Sequence, residues 1–175
     1  MAQLKDDCFA FDGELTSFKE GLRKIEKHLS VLVGKESIGL SLALNRVLAE
    51  NLVSSCNVPP HNNSAVDGYA VRYADLNQNA STRLRISGRI AAGDVCNSPI
   101  KRGQAVRIFT GAPVPEPLDT IFMQEDCNRN GHYVTLPSGL KCGANYRFAG
   151  EDVELGSIVI SQGSRLRPQE IGLAA

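Results

Sequence analysis

The feature that most constrains the fold is the spacing of apolar residues from the middle of the chain onward. From Tyr69 onward they recur at every second position in short runs, the spacing typical of half-buried β-strands. Glycines lie between the later runs, where they suit turns between strands. The predicted strands cover residues 69–73, 84–87, 106–109, 120–123 and 133–136. This pattern predicts a compact β-rich unit.

An amphipathic helix is predicted before this unit. Ser17 and Glu20 have the spacing of a capping box, in which a serine oxygen accepts from first-turn amides. Apolar residues then follow at helical spacing, at Phe18, Leu22, Ile25 and Leu29. We expect this stripe to be buried, either in a core or in a dimer contact. Residues 1–14 are expected to be a poorly ordered lead-in.

A second helix is predicted to begin at Ser41 and to fade near Asn51. Its apolar residues are Leu42, Leu44, Val47 and Leu48. The pair Pro59-Pro60 then favours extended backbone and prevents helix continuation.

Two hairpins and one short helix are predicted from turn residues. Asn130-Gly131 lies between two predicted strands, and both positions tolerate a positive φ. Gly163 separates the extended segments 157–160 and 164–166, which we expect to pair with each other. Pro168 is suited to the first turn of a helix. The fold class is therefore predicted to be α+β and β-rich.

Composition excludes several classes of function. The formal net charge is +0, with 19 basic and 19 acidic side chains, whereas nucleic-acid binders usually carry a basic excess. No apolar run approaches the roughly 20 residues of a membrane helix, and the N-terminus lacks a signal-peptide pattern. The cysteines are scattered without metal-ligand spacing, so we expect buried thiols in a reducing cytoplasm. They are Cys8, Cys56, Cys96, Cys127 and Cys142.

Three segments carry candidate chemistry. Asp67 lies in a run of small, turn-forming residues, which predicts a carboxylate displayed at a strand edge; the alternative is an aspartate that only caps its own turn. Thr110-Gly111 ends a predicted strand, and its hydroxyl and nearby amides are candidates for an anion-binding nest. Turn chemistry alone also explains this second segment.

The third segment is Arg147 followed by Glu151-Asp152. Paired carboxylates suit Mg²⁺, and an arginine suits phosphate or another oxyanion. The alternative is a surface turn with a local ion pair. The three histidines do not cluster, and the motifs of serine hydrolases, P-loops and dinucleotide sites are absent from the sequence.

In this order, the segments resemble the N-terminal region of the molybdopterin molybdenumtransferase family, whose eukaryotic relatives include the C-terminal domain of gephyrin. Residues 63–71 are similar to the family's Asn-Ser-Ala-Met-Asp-Gly-Tyr-Ala-Val run, and residues 107–115 to its Arg-Ile-Met-Thr-Gly-Ala-Pro-Val-Pro run. Val66 and Phe109 stand where the family has methionine, and Asn45 stands where it has glycine. The resemblance extends from about residue 15 to residue 175.

The resemblance implies an elongated, two-subdomain arrangement. Residues 15–57 and 145–175 would form a discontinuous helix-plus-hairpin subdomain involved in dimerisation, interrupted by an inserted β-rich subdomain at 58–144. The family's catalytic α/β subdomain and C-terminal β-barrel would be absent from this chain. A homodimer is implied, with the active cleft shared between subunits.

The implied reaction inserts molybdate into adenylylated molybdopterin and releases AMP, assisted by Mg²⁺. Molybdopterin adenylyltransferase is the implied upstream enzyme, and neither nucleic acid nor membrane is expected as a partner. We expect the fragment alone to be inactive. The alternatives are a non-catalytic scaffold or dimerisation module, and a carboxylate-based hydrolase that acts by itself.

The resemblance also implies roles for individual residues. Asp67, Asp152 and Thr110 are the candidate catalytic residues. Arg147, Ser64 and Gly111 are the candidate substrate-binding residues. A metal site would use Asp67, Glu151 and Asp152.

Overall fold

A computed structural model describes residues 16–94 and 99–175. The predicted lead-in at 1–14 lies outside the described residues. The chain divides between Gly39 and Leu40 into two compact units.

The first unit contains helix α1, Phe18–His28. Ser17 caps it as predicted, because its hydroxyl accepts a hydrogen bond from the backbone nitrogen of Glu20 at 3.2 Å. All residues of α1 are described, and none is buried, with Phe18 84% exposed. The chain itself therefore does not bury the apolar stripe in a core, and burial in a dimer contact stays a prediction.

The second unit is organised around a six-stranded sheet. Its strands are β3 (Gly68–Val71), β4 (Thr82–Ile90), β5 (Gln104–Ile108), β6 (Thr120–Met123), β7 (Asn128–Asn130) and β8 (Tyr133–Leu136), in the order β6-β3-β5-β4-β8-β7. All pairs are antiparallel except β4 with β5. All five predicted strands form. A hairpin also forms near the predicted Asn130-Gly131, but it joins β8 to β7, which was not predicted, and its loop residues are Gly131 and His132.

Both faces of the sheet are covered by apolar side chains. Ala70, Val106 and Ile108 belong to one buried cluster. Tyr69, Val71 and Ala105, which alternate with them along the same strands, belong to a second cluster on the other face. This explains why every residue of β3 is buried.

Gly68 allows β3 and β6 to approach each other. A Cβ at this position would lie 1.8 Å from the carbonyl oxygen of Phe122, the residue before its register partner Met123 on β6. Gly68 directly follows Asp67 in the run of small, turn-forming residues. Its actual requirement is steric, because its φ lies outside the left-handed region.

The second predicted helix does not form. Only one turn of 3₁₀ helix is present, Leu40–Leu42. Asn45 adopts a φ of +65°, a left-handed conformation that glycine and asparagine tolerate best and that interrupts an α-helix. Its backbone nitrogen donates to the carbonyl oxygen of Leu166 at 2.7 Å. The segment therefore forms a turn and an isolated β-bridge at Val47, and it is hydrogen-bonded to a distant part of the chain.

The hairpin predicted around Gly163 is also wrong. Strand β10 (Ile158–Ile160) pairs with β1 (Leu52–Val53), and Arg165 forms a bridge with Val47. Both segments flanking Gly163 thus pair with residues 47–53 rather than with each other. The turn at Gly163 remains, with a φ of +85°. Helix α2 (Pro168–Ala174) follows and begins at Pro168 as predicted.

The fold is mixed and β-rich, as predicted, and the described residues contain two of the three predicted helices. The subdomain bounds taken from the resemblance stay a prediction. Within the described ranges, no helix has the length and apolar character needed to cross a membrane.

The prediction of buried thiols is wrong for two cysteines. Cys56 and Cys142 are exposed, and Cys127 is half-buried. Cys8 and Cys96 lie outside the described residues.

Candidate active site

Asp67 and Thr110 form the centre of the site. One carboxylate oxygen of Asp67 accepts from the backbone nitrogen of Thr110 at 2.9 Å and from its hydroxyl at 2.8 Å. The backbone hydrogen bond, then the hydroxyl, lowers the pKa of Asp67. No group among residues 16–94 and 99–175 donates to the other carboxylate oxygen. Asp67 is therefore a fixed, ionised acceptor with one oxygen available to a ligand.

Strand register brings these two residues together. Gly68 pairs with Ile108 across the antiparallel β3 and β5. The residue before Gly68 and the residues after Ile108 therefore emerge at the same end of the sheet. The sequence reasoning proposed both residues for separate reasons, and the fold joins them.

Ser64 and Gly111 shape this end of the sheet. Ser64 lies on the short strand β2 (Asn63–Ser64), and its buried hydroxyl donates to the carbonyl oxygen of Val66 at 2.6 Å. Gly111 has a φ of +78° and donates its backbone N–H to the carbonyl oxygen of Ser64 at 2.8 Å. Both residues thus fix the turns that carry Asp67 and Thr110. Their proposed role in substrate binding stays a prediction.

The anion-binding nest predicted at Thr110-Gly111 is not available. The backbone nitrogen of Thr110 donates to Asp67, that of Gly111 to Ser64, and that of Ala112 to the carbonyl oxygen of Phe109 at 2.9 Å. Since all three N–H groups are used within the fold, they have no free donor for a bound anion.

Arg107 is a member of the site that sequence reasoning did not single out. Its guanidinium donates to the carbonyl oxygen of Gly68 at 3.1 Å and to the side-chain oxygen of Gln124. It also lies over the rings of Tyr69, at 5.2 Å, and Phe109, at 4.6 Å from the centroid. Arg107 therefore connects the Asp67 turn, the end of β5 and the segment after β6.

Glu125 adds a second carboxylate that was not predicted. The side-chain nitrogen of Gln124 donates to it at 3.0 Å, and this hydrogen bond lowers the pKa of Glu125. Asp67 acts on the same group in the opposite direction, since a neighbouring negative charge raises its pKa. The available signal was the Gln124-Glu125 pair, which follows a predicted strand just as Thr110 does.

Arg147, Glu151 and Asp152 form a separate ion-pair cluster. The guanidinium of Arg147 lies 2.7 Å from both carboxylate oxygens of Asp152 and 3.3 Å from an oxygen of Glu151. The other oxygen of Glu151 accepts from the backbone nitrogen of Phe148 at 3.1 Å. Hydrogen bonding to Asp152, then to Glu151, raises the pKa of Arg147. Each charged group is thus already paired.

This cluster is connected to the strand before Asp67. Strand β9 (Tyr146–Arg147) pairs with β2, with Arg147 opposite Asn63. The side-chain oxygen of Asn62 accepts from the backbone nitrogen of Ala149 at 2.9 Å. The Asp67 segment and the Arg147 segment are therefore both anchored by residues 62–64.

The predicted metal ligands do not fit Mg²⁺ as arranged. Both oxygens of Asp152 and both oxygens of Glu151 are occupied by the hydrogen bonds just described. Within the described parts of the chain, no group of three or more His, Cys, Asp and Glu side chains is placed to hold a metal ion. Asp67, Glu151 and Asp152 are thus not brought together as a metal site.

Sequence and structure comparisons place this chain in a known group. The chain is 41% identical over 141 residues to a protein of Haemophilus influenzae named molybdopterin molybdenumtransferase, covering 80% of this chain and 34% of that protein. A Staphylococcus epidermidis protein of the same name is 34% identical over 163 residues, covering 91% and 38%. The chain thus spans little more than a third of the length of these relatives.

A solved structure is also similar. The molybdopterin biosynthesis moeA protein of Pyrococcus horikoshii OT3 matches with a TM-score of 0.73 and 33% identity, over 79% of this chain and 37% of that one. Residues 16–175 match the family described as "MoeA N-terminal region (domain I and II)". With nearly the whole chain matched, this protein belongs to that family.

Proposed function

We propose that this chain provides one side of the active site of a molybdopterin molybdenumtransferase. In this proposal molybdate is inserted into adenylylated molybdopterin, and AMP is released. The observation that carries it is the double hydrogen bond from Thr110 to Asp67, which holds a carboxylate ionised at the exposed end of the sheet. The names of the similar proteins support the choice of reaction.

Within this reaction Asp67 acts through its second oxygen. A carboxylate with a lowered pKa stays ionised at neutral pH, so its second oxygen can accept a hydrogen bond from a hydroxyl or water and orient it. Thr110 keeps that carboxylate in one position, so little reorganisation is needed when substrate arrives. Asp152 and Arg147 neutralise each other, and we assign them a structural role at the edge of the site. No step is assigned to Mg²⁺, since the acidic pair is already occupied.

The wider assignments belong to the same proposal. The active protein is a cytoplasmic homodimer, and it receives its substrate from molybdopterin adenylyltransferase. The chain alone is inactive, because it spans little more than a third of its relatives' length.

The proposal is tested by adding the region of the relatives that this chain does not span. We would combine the chain with the C-terminal region of a similar transferase and measure AMP release and molybdenum incorporation from adenylylated molybdopterin. Activity is expected only in the combination, and Asp67→Asn in this chain should reduce it by about 100-fold or more. Circular dichroism and a thermal melt would verify that the variant folds. Unchanged activity in Asp67→Asn would exclude the proposed role.

One observation favours a second candidate, a dimerisation module without catalysis. The apolar side chains of α1 are exposed, including Phe18, Ile25 and Leu29. Sedimentation at several concentrations separates the two candidates when combined with the activity test. A dimer that stays inactive with every C-terminal partner would support the module.

A further inference from the structure

Two arginines lie against one aromatic ring beside Asp67 and Thr110. The guanidinium carbons of Arg89 and Arg107 are 4.5 Å and 4.6 Å from the centroid of the Phe109 ring. Arg89 and Arg107 are also register partners on the parallel strands β4 and β5. Their side chains therefore leave the sheet on the same face, next to each other.

Adjacent like charges across strands are destabilising unless other groups offset them. Arg107 has such groups, namely the carbonyl oxygen of Gly68 and the side chain of Gln124. Arg89 is exposed, and its only recorded contact in the described parts of the chain is the Phe109 ring. No acidic side chain within residues 16–94 and 99–175 pairs with it. Arg89 is thus an oriented cation whose charge is not neutralised.

This cation lies next to the Asp67–Thr110 pair, because it stacks on Phe109. Phe109 directly precedes Thr110, the residue that holds Asp67. The backbone N–H groups of Thr110, Gly111 and Ala112 are all used within the fold. An anion that approached this turn would therefore need a side-chain donor, and Arg89 supplies one.

We infer that Arg89, held on the Phe109 ring, binds a tetrahedral oxyanion next to the Asp67–Thr110 pair. The inference rests on the proposed function, in which the oxyanion is either molybdate or a phosphoryl group of the substrate. A guanidinium suits both, because its planar donors form two hydrogen bonds to one oxyanion. Phe109 restricts the rotamers of Arg89, so less side-chain entropy is lost on binding.

The test uses the 175-residue chain and needs no turnover. Sodium molybdate, inorganic phosphate and AMP are titrated separately at constant ionic strength, with adenosine as the uncharged control. Binding is followed by NMR on the side-chain Nε–H of Arg89 and the amide of Gly111. At least one oxyanion should shift both signals, and adenosine should shift neither. The strongest of the three identifies the substrate group that Arg89 recognises.

Matched variants separate this site from general charge. Arg89→Gln should weaken oxyanion binding about tenfold or more, as expected for a lost charge-assisted hydrogen bond. Arg83→Gln is the control, because Arg83 lies on the same strand and over the ring of Tyr133 at 4.2 Å, away from Asp67. Phe109→Met keeps both charges but removes the ring, and should weaken binding severalfold.

Three outcomes would overturn the inference. They are no oxyanion response in the unmodified chain, equal loss in Arg83→Gln and Arg89→Gln, and unchanged affinity in Arg89→Gln. The Arg89 Nε–H shift in the unmodified chain is independent of how the variants fold. Molybdenum insertion by the combined protein without oxyanion binding to Arg89 would reject this inference and leave the proposed function standing.

Discussion

Thr110 donates two hydrogen bonds to one oxygen of Asp67, from its backbone nitrogen at 2.9 Å and from its hydroxyl at 2.8 Å. The two residues are 43 positions apart in sequence. Their contact joins the turn before β3 to the turn after β5, so it is a property of the sheet and not of either motif.

The first prediction concerns the pKa of Asp67. Thr110→Val removes the hydroxyl donor and leaves the backbone N–H in place, so the pKa should rise part of the way toward its ordinary value. Because the pKa is lowered in the folded chain, the stabilisation from this ionised group is present above the ordinary pKa and is lost as pH falls through the lowered one. Carbon-13 NMR of the carboxylate during a pH titration measures the shift. Thr110→Ser should leave the pKa low; the same rise in both variants would contradict the assigned cause.

The second prediction concerns Gly68. Gly68→Ala places a Cβ 1.8 Å from the carbonyl oxygen of Phe122, so β3 and β6 must separate. The expected loss in the free energy of unfolding is about 3 kcal/mol or more. Gly88→Ala is the control in the same sheet, since a Cβ there meets no atom of the described residues within 4 Å. Urea denaturation of both variants measures the difference, and equal stabilities would refute the steric explanation.

The third prediction concerns the start of helix α2. The side-chain hydrogen bond with Arg167 lowers the pKa of Glu170 from 4.5 to about 2. Stability from this pair is therefore fully present above pH 4.5 and is lost as pH falls toward 2. Glu170→Gln should remove that part of the acid dependence. Thermal melts between pH 2 and 6 measure this dependence, and the difference between Glu170→Gln and the unmodified chain should lie below pH 4.5.

Glu154→Gln provides the control for this prediction. Its carboxylate is exposed and has no recorded partner among residues 16–94 and 99–175. The control should keep the acid dependence of the unmodified chain. An acid profile in Glu170→Gln that matches the control would rule out the Arg167 interaction as its source.

The fourth prediction concerns thiol reactivity. Burial raises the pKa of Cys127 to about 11, so little thiolate is present at pH 8. Its sulfur also lies 3.1 Å from the carbonyl oxygen of Met123. Iodoacetamide at pH 8 should label the exposed Cys56 and Cys142 well before Cys127. Peptide mass spectrometry gives the order, and early labelling of Cys127 would show that its environment is open.

The strands could be predicted because their signal is local. An alternation of apolar and polar residues places one set of side chains on one face, and each of the five runs carries enough of it to be recognised alone. Gly131 likewise marks its hairpin locally, because the turn needs a positive φ at this position, +58°, which glycine adopts without strain. Ser17 and Pro168 mark helix starts for comparable local reasons.

The segment after Leu42 shows where local spacing fails. Its apolar residues are compatible with a helix. However, Asn45 takes a positive φ, and Val47 forms a β-bridge with Arg165. The side-chain oxygen of Asn51 makes a similar long-range contact, since it accepts a hydrogen bond from the backbone nitrogen of Gln162, 111 positions away. Pairing over such a separation is decided by the rest of the fold, because no local pattern specifies the partner.

The same division holds in the site. The sequence alone identified Asp67 and Thr110, since each lies in a recognisable turn within a family-like motif. Only the tertiary structure showed that they bind each other, that Arg107 and Glu125 lie beside them, and that Arg147 is already paired with Asp152. The physical reason is that turns depend on neighbouring residues, whereas the charges around a site depend on strand register, which brings distant residues into contact.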